Sequence, residues 1–347
     1  MKQSSIKGIA QALGISIGTV DRALHGRSRI SPTTRARVLE KAEQLGYRPN
    51  VVARSLKLNR TLRIGVYSPR HIASFFDPLR AGVRAAASAV NGVNLELVFR
   101  TFSRLDEGDV ELLAADVMKK YDGILITPGN PAHTETMIRS LARKGVPIVC
   151  VADDSPRSER LACVTTDAYT SGAVAAELFA RIVQGSGKIA AITGTMAILD
   201  HSEKLRGFAA SLAVLAPDLT FLPPIETHGK PREAFLQTKK LIAGKQLPLG
   251  IYIGTANSLP VLRALEERKL LGEVLVITTD LFAELIPYIQ SGQVLATLYQ
   301  RPFTQGKAAL DLLVSYLVDG IMPKTVTRLA PHIVLRSNLA LFSSEDA

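Results

Sequence analysis

The sequence predicts a small N-terminal all-α domain built around a helix-turn-helix, followed by an α/β domain of two Rossmann-like lobes with parallel sheets. Two observations support this division of the 347 residues. Short helical patterns interrupted by glycine fill the first part, whereas apolar strand-like runs alternate with helical segments from Leu62 onward, in two successive series. The predicted parts are 1–49 for the helical domain, 50–61 for a connecting segment and 62–347 for the α/β domain, with lobe 1 at about 62–164 and 294–324 and lobe 2 at about 165–293 and 325–342.

The composition is that of a folded protein. Hydrophobic residues make up 47% and charged residues 21% of the chain, which excludes general disorder. No run of about 18 uncharged apolar residues predicts a membrane span, and the N-terminal residues lack the apolar stretch of a signal peptide, so we expect a cytoplasmic, nucleoid-associated protein. Cys150 and Cys163 both lie in apolar strand-like runs. We expect buried thiols there, with neither a disulfide nor a zinc site.

The positive charge is concentrated at the N-terminal end. Residues 1–63 contain 13 of the 42 basic residues but only 3 of the 31 acidic ones, so this segment carries +10 of the net charge of +11. A solvated basic surface is one explanation. Concentration in one small segment favours the other, a polyanionic partner such as nucleic acid.

Three short helices are predicted in the basic segment. The apolar residues of 6–13 recur at i, i+3, i+4 and i+7, which is one face of a helix. Gly14 ends that helix, and Ser16 can cap a second one. Ser31–Pro32 is typical of a third helix start, because proline at the first helical position loses no hydrogen bond.

This segment resembles the DNA-binding domain of the lac repressor (LacI/GalR) family. The resemblance covers residues 5–56 and rests on three runs: 5–24, 31–35 and 45–50. It implies a homodimeric transcription regulator, most often a repressor, with operator DNA as its partner. In that family the second helix of each helix-turn-helix enters the major groove of one half-site of a near-palindromic operator.

Three side chains of the second helix suit contacts to DNA. Ser16 and Thr19 offer hydroxyl groups to phosphates or bases, and Arg22 can reach O6 and N7 of a guanine. A plain N-cap is the alternative role for Ser16, and a solvated surface charge is the alternative for Arg22.

Three neighbouring residues depart from the family pattern, so the operator sequence cannot be transferred from a relative. Ile17 and Gly18 have no side-chain donor, although Ile17 can touch a thymine methyl group. Asp21 can accept a hydrogen bond from cytosine N4 but repels phosphate. The predicted DNA-contacting residues are Ser5, Ile6, Ser16, Ile17, Gly18, Thr19, Asp21, Arg22, His25, Arg29, Thr34, Tyr47, Asn50, Arg54 and Leu56.

Residues 50–57 resemble the hinge helix of the family. Eight residues do not hold a helix alone in water, so we expect this segment to order only on DNA and with a second subunit. Leu56 occupies the position of the family's leucine that wedges between base steps from the minor groove. Packing on the protein core is the alternative for Leu56.

The segment from Leu62 onward has the pattern of parallel sheets covered on both faces. Predicted helices near 77–90, 107–120 and 132–144 separate the first strands. The predicted strands are 62–68, 95–99, 123–127, 146–151, 187–193, 249–253, 274–278 and 295–299. Since open α/β sheets bind ligands beyond the carboxyl ends of their strands, residues at those ends are candidate site residues.

The side chains at these ends suit a polyhydroxylated ligand, because carboxylates and amides bond hydroxyl groups and aromatic faces cover C–H groups. Asp280 is the strongest candidate, since a carboxylate directly after a buried strand seldom lacks a partner. The alternatives are the core for each phenylalanine, the surface for the histidine, and a loop cap for one of the two adjacent aspartates. The candidates are Phe75, Phe76, Asp153, Asp154, His201, Lys204, Asn257, Asp280 and Gln300.

Residues 64–340 resemble sugar-binding periplasmic proteins of the ribose type. The resemblance rests on four runs: 74–76, 204–208, 279–280 and 299–300. It implies a carbohydrate-like effector bound between the lobes, whose binding changes lobe closure and hinge spacing. The sequence lacks the arginine that follows Asp153 in ribose binders and has Lys204 where an arginine is common. The identity of the sugar therefore stays open, including a phosphorylated or acidic derivative.

No credible catalytic, cofactor or metal-binding motif occurs in the sequence. Residues 14–18 match G-x-S-x-G, but a helix rather than a strand precedes them. Residues 185–190 imitate a dinucleotide fingerprint but precede their strand. We expect no enzymatic activity, cofactor or metal. A sugar-binding module without a regulatory role and a sugar-active enzyme are the two alternatives.

Overall fold

The computed structural model describes residues 6–24, 30–45, 61–102 and 121–342. Residues 50–60 of the predicted hinge segment and the predicted helix at 107–120 lie outside these ranges, as do seven of the predicted DNA-contacting residues: Ser5, His25, Arg29, Tyr47, Asn50, Arg54 and Leu56. Within the described ranges, none of the helices is long and apolar enough to span a membrane.

Three helices form the N-terminal domain, as the sequence predicts: α1 (Ile6–Leu13), α2 (Ile17–Leu24) and α3 (Pro32–Gln44). The two predicted caps have the same geometry. The Ser16 hydroxyl accepts from the amide of Thr19 at 3.0 Å, and the Ser31 hydroxyl accepts from the amide of Thr34 at 3.1 Å. The helices bury one small shared core: Ile9, Ala10, Val20, Ala23, Val38 and Ala42.

The α/β part contains two sheets. The first has the order β12-β5-β4-β3-β1-β2 and is parallel throughout. The second has the order β13-β11-β10-β9-β6-β7, with β8 paired to β6, and only β13 runs antiparallel. The strands are β1 (Leu62–Pro69), β2 (Leu95–Phe102), β3 (Gly123–Ile126), β4 (Ile148–Val151), β5 (Ala162–Thr166), β6 (Gly187–Thr193), β7 (Leu219–Phe221), β8 (Ile225–Glu226), β9 (Gly250–Ile253), β10 (Leu275–Thr279), β11 (Ala296–Tyr299), β12 (Val326–Leu329) and β13 (His332–Val334).

Helices cover both sheets, which confirms the predicted pair of parallel α/β lobes. The central strands β3, β4, β9 and β11 are buried along their whole length. The helices of this part are α4 (Ala73–Ala89), α5 (Pro131–Arg143), α6 (Ala168–Ile182), α7 (Leu199–Leu215), α8 (Pro231–Leu241), α9 (Leu259–Glu267), α10 (Ile286–Gln290) and α11 (Pro302–Val314).

The lobe boundaries near the C-terminal end differ from the predicted ones. We assigned 294–324 to lobe 1 and 325–342 to lobe 2. The structure places β11 in the second sheet, beside β10, and β12 in the first sheet, beside β5. The chain therefore crosses between the lobes three times, after β5, after β11 and after β12. Strand pairing decides these assignments, and local sequence patterns carry no information about it.

The two cysteines face each other in register on the neighbouring strands β4 and β5. Both are buried free thiols, as predicted. Burial raises the pKa of Cys150 and of Cys163, so both remain protonated and unreactive at neutral pH.

Each lobe contains a pair of helices that touch backbone to backbone through glycines. In lobe 2, a Cβ on Gly172 of α6 would lie 1.8 Å from the carbonyl oxygen of Lys204 on α7. In lobe 1, a Cβ on Gly82 of α4 would lie 2.0 Å from the carbonyl oxygen of Phe303 on α11. Only glycine permits these approaches, so the two contacts fix where α7 and α11 lie on their sheets.

Gly172→Ala is expected to destabilise the protein by about 1–3 kcal/mol, because the methyl group forces the two helices apart. Urea unfolding followed by circular dichroism measures the change. Gly244→Ala is the matched control, since a Cβ there meets no atom closer than the Gln246 carbonyl oxygen at 4.0 Å. Equal stability of the two variants would show that the α6–α7 contact is not tight.

Candidate functional site

A pocket with a cavity volume of about 50 Å³ lies between the carboxyl ends of the two sheets. Lobe 1 contributes the start of α4 and the residues that follow β3 and β4, and lobe 2 contributes the start of α7 and the residues that follow β9 and β10. Seven of the nine predicted site residues line it: Phe75, Phe76, Asp153, His201, Lys204, Asp280 and Gln300. The pocket position agrees with the rule for ligand sites in open α/β sheets.

Two phenylalanines form the aromatic wall of the pocket. Phe75 and Phe76 lie in the first turn of α4, with ring centroids 5.0 Å apart and an interplanar angle of 75°. Both rings also belong to the hydrophobic core of lobe 1. The core role and the pocket role therefore coexist, and the core holds the ring edges in place for a ligand.

A chain of polar groups crosses the pocket. The Lys204 ammonium donates to Asp200 Oδ2 at 2.6 Å and to Gln300 Oε1 at 2.9 Å. The Gln300 amide in turn donates to Asp280 Oδ2 at 2.9 Å. Lys204 is 1% exposed, Asp280 3% and Gln300 7%. Such short, buried, charge-assisted bonds hold the side chains in fixed positions.

Asp280 has a perturbed acidity in this chain. Burial raises its pKa to about 6, and the Lys204 charge and the hydrogen bonds from Gln300 limit the rise. At neutral pH the carboxylate is ionised and accepts hydrogen bonds.

The backbone of Asp280 is left-handed, with φ at 68°. The backbones of Ile72, Ala152 and Arg301, which also follow strands, are left-handed as well. Strained residues of this kind cluster at ligand sites.

Two carboxyl groups from opposite lobes meet at one side of the pocket. Asp153 follows β4 of lobe 1, and its Oδ1 accepts from the backbone amide of Asp200 in lobe 2 at 3.2 Å. The pKa of Asp153 is raised well above its usual value. Burial is the main cause, and the charge of Asp200 is the second. Among the described residues, Asp153 Oδ2, Asp200 Oδ1 and Thr127 Oγ1 are buried without a hydrogen-bond partner.

His201 is buried in the pocket wall rather than at the surface. Its Nδ1 lies 3.1 Å from both the amide nitrogen and the carbonyl oxygen of Thr195. Burial lowers the pKa of His201, so the imidazole is neutral at pH 7.

Two predicted site residues lie outside the central pocket. Asp154 lines a separate cleft and is paired with Arg160, which donates to Asp154 Oδ2 at 2.6 Å. The sequence predicts that one of the two adjacent aspartates faces the ligand pocket, and Asp153 is the one that lines it. Asn257 lines a neighbouring cleft, because the loop after β9 has already passed the pocket at Thr255 and Ala256. That cleft shares Ile72 and Ala256 with the central pocket, so contact between Asn257 and the effector stays a prediction.

Sequence reasoning missed three polar residues of the pocket, Thr127, Asp200 and Thr255, and the first two carried a signal. Thr127 directly follows β3, so it stands at the carboxyl end of a parallel strand. Asp200 lies four residues before Lys204 in α7, which is the spacing of an ion pair on one helix face.

The second helix of the N-terminal domain presents the predicted DNA-contacting residues to solvent. Val20 and Ala23 of α2 point into the domain core, whereas Ser16, Ile17 and Arg22 are exposed. Ile17 is 51% exposed, which is unusual for a large apolar side chain and suits contact with a thymine methyl group. The Arg22 Nε donates to the Gly18 carbonyl at 3.0 Å.

The fold and the site define a two-lobed ligand-binding domain joined to a helix-turn-helix domain. A match to the family described as "Bacterial regulatory proteins, lacI family" covers residues 5–50, and a match to the "Periplasmic binding protein domain" covers residues 64–320. The chain therefore belongs to the periplasmic binding protein domain family and, through its N-terminal domain, to the lacI family. It is a DNA-binding transcription regulator of that family.

Full-length relatives have the same organisation. The chain is 26% identical over 351 residues to catabolite control protein A of Priestia megaterium, which covers 96% of this chain and 98% of the relative. It is 25% identical over 339 residues to the HTH-type transcriptional repressor PurR of Vibrio parahaemolyticus, with 97% and 98% covered.

Solved structures of sugar-binding proteins share the fold of the two lobes. The glucose-galactose binding protein GanP of Geobacillus stearothermophilus matches with a TM-score of 0.74 and 23% identity, over 81% of this chain and 99% of that one. A solute binding protein of Agrobacterium vitis with bound D-fucose matches with a TM-score of 0.75 and 19% identity, over 82% and 99%.

Proposed function

We propose that this protein is a cytoplasmic transcriptional repressor that binds a near-palindromic operator as a homodimer and responds to a small carbohydrate-like effector. The observation that carries the proposal is the pairing, in one chain, of an exposed second helix in a basic domain with a polar pocket between two lobes. The relatives that cover nearly the whole chain include a named transcriptional repressor. A binding module without a regulatory role leaves the helix-turn-helix unexplained.

The pocket groups suit control by lobe closure. A ligand that bonds to Asp153 of lobe 1 and Asp280 of lobe 2 binds the closed form better than an open one, so it shifts the population of the two forms. The segment 50–61 joins lobe 1 to the DNA-binding domain, and closure alters the separation of the two hinges in a dimer. Effector affinity and operator affinity are then linked.

Two lobe crossovers are bonded to each other beside the pocket. The Thr166 hydroxyl, at the end of β5, donates to the Gln300 carbonyl at 2.7 Å. The Gln305 amide donates to the same carbonyl at 2.8 Å and to the Thr166 hydroxyl at 3.1 Å. The side chain of Gln300 also bonds Lys204 and Asp280. A ligand that moves this side chain therefore acts on the residue whose backbone carbonyl joins the two crossovers between the lobes.

We also propose that the protein has no enzymatic activity. The regulators and binding proteins that it resembles support this, and the pocket places no activated nucleophile among its described lining residues. Incubation with a panel of sugars and product analysis tests the proposal, and turnover of any sugar would overturn it.

The DNA-binding half of the proposal is tested by selection from random DNA. Full-length protein incubated with a randomised duplex library is expected to enrich a near-palindromic sequence with two equal half-sites. Analytical ultracentrifugation of the complex is expected to show two protein chains on each duplex. Enrichment of no sequence, or of a single unpaired half-site bound by one chain, would contradict the proposed operator and dimer.

Asp280→Asn is expected to raise the dissociation constant of the effector at least about tenfold, because the neutral amide loses charge-assisted bonds that are worth about 1.5–3 kcal/mol each. Asparagine tolerates the left-handed backbone at this position. Thermal-shift titration with the sugar that responds in a panel measures the change. The exposed Asp218 provides the control variant Asp218→Asn. Equal effector affinity in wild type and Asp280→Asn would show that Asp280 is purely structural.

A further inference from the structure

The central pocket has an excess of negative charge among its described lining residues. Three carboxyl groups line it, from Asp153, Asp200 and Asp280, against the ammonium of Lys204. His201 adds no charge, since burial lowers its pKa. Arg160, which lies in the turn after Asp153, is bonded to Asp154 outside the central pocket. One cation therefore faces three acidic groups.

The positive charge of Lys204 is already paired with groups of the protein itself. Its ammonium forms an ion pair of 2.6 Å with Asp200 and a hydrogen bond of 2.9 Å with Gln300, and the side chain is 1% exposed. The pair leaves Asp200 Oδ1 without a partner among the described residues. A phosphorylated or carboxylate ligand would place its charge against Asp153 and Asp280, and no further arginine or lysine lines the described part of the pocket to receive it.

The pocket contains unpartnered acceptor oxygens that suit a ligand whose hydrogen-bond donor is positively charged. Asp153 Oδ2 and Asp200 Oδ1 are buried, acidic and contributed by opposite lobes, and the backbone bond of 3.2 Å from Asp200 to Asp153 holds the two residues together. Thr127 Oγ1, on a side chain that is 1% exposed, is a third unpartnered acceptor in the same pocket. Burial and the neighbouring Asp200 disfavour the ionised form of Asp153, and hydroxyl donors do not change this, whereas an ammonium group bonds the oxygens and allows both carboxyl groups to be ionised.

We propose that the effector is a polyhydroxylated molecule with a cationic nitrogen, of the amino sugar class, and that Asp153 and Asp200 receive its ammonium group. The inference rests on the proposed effector role of this pocket and names the chemical class that the pocket selects. Asp280 and Gln300 bond the hydroxyl groups, and Phe75 and Phe76 cover the C–H face. The ammonium group bonds one carboxyl group from each lobe, so it favours the closed form.

Matched ligand sets test the proposal with full-length protein at pH 7. The probes are D-glucosamine, D-galactosamine and D-mannosamine, each compared with its parent hexose, its N-acetyl derivative and the 6-phosphate of the parent hexose. Thermal shift screens the sets, and isothermal titration calorimetry measures dissociation constants. At least one amine is expected to bind tenfold or more tightly than its parent hexose and its N-acetyl derivative, with no binding by the phosphates.

Asp153→Asn locates the ammonium site. Asparagine keeps the oxygen that accepts from the Asp200 amide but removes the charge, so affinity for the amine is expected to fall at least tenfold and the preference for the amine over its parent hexose is expected to be lost. Asp218→Asn is the control and is expected to bind as wild type does.

Each contrary outcome has a defined meaning. A parent hexose or a phosphate that binds as tightly as the amines overturns the charge inference and leaves the proposed sugar effector intact. Amine binding that Asp153→Asn does not weaken overturns the assignment of the ammonium site. Absence of binding by every member overturns the inference together with the sugar effector, while operator selection still tests the DNA-binding half independently.

Discussion

Lys204→Met is expected to lower the free energy of unfolding by about 3–5 kcal/mol, because it leaves the buried carboxylates of Asp200 and Asp280 without their cation. Lys204 is 1% exposed and touches both Asp200 and Gln300. For a domain of this size the change corresponds to a fall in midpoint temperature of roughly 6–20 °C. The same variant is expected to lose its response to effector, since the chain from Asp200 to Asp280 is broken at its centre. Thermal unfolding with and without effector measures both effects.

Lys307→Met is the matched control for this loss. Lys307 forms an ion pair of 3.0 Å with Asp311, also four residues away in one helix, but the two side chains are 48% and 46% exposed. An exposed pair of this kind contributes about 1 kcal/mol or less. If the two variants lose similar amounts of stability, burial of the ion pair does not explain the destabilisation by Lys204→Met.

A fragment that begins at Leu62 is expected to lose specific DNA binding, with a rise in dissociation constant of at least about a hundredfold, while it keeps effector binding. The fragment lacks α1, α2 and α3 together with nearly all of the net positive charge, which supplies the phosphate contacts. Its two sheets have their own hydrophobic cores, so the lobes are expected to fold. Fluorescence anisotropy at several salt concentrations measures DNA binding, and thermal shift measures effector binding.

Arg22→Ala in the full chain distinguishes the sequence preference supplied by the second helix from the general electrostatic affinity of the basic domain. It is expected to reduce the preference for the selected operator over unrelated DNA and to lower the salt dependence only slightly. A fragment from Leu62 that still binds operator with the salt dependence of the full chain would show that the basic segment is not the DNA-binding part.

Local patterns predicted eight strands of the described residues and missed β5, β7, β8, β12 and β13. Serine caps and glycine breaks marked the three N-terminal helices, and buried parallel strands appeared as apolar runs. The membership of β11 and β12 in their sheets was not predictable in the same way, because it depends on pairing between strands that are far apart in sequence.

The candidate site was predictable where a residue stands within two positions of the end of a buried strand. Asp280 directly follows β10 and Asp153 stands two residues after β4, and the structure brings both to the pocket. Asn257 stands four residues beyond its strand, and the course of the loop carried it into another cleft. The pairing of Asp154 with Arg160 depends on the turn between β4 and β5, which the sequence pattern does not reveal.

The most direct test of the account is the operator affinity of the full-length protein with and without a ligand that binds the pocket. Anisotropy titrations with the selected operator are expected to show a change in dissociation constant of tenfold or more when the ligand is saturating. Asp280→Asn at the same ligand concentration is expected to show little change. Identical operator affinity with and without the ligand, although the ligand raises the midpoint temperature of unfolding, would contradict the claim that the inter-lobe pocket controls DNA binding.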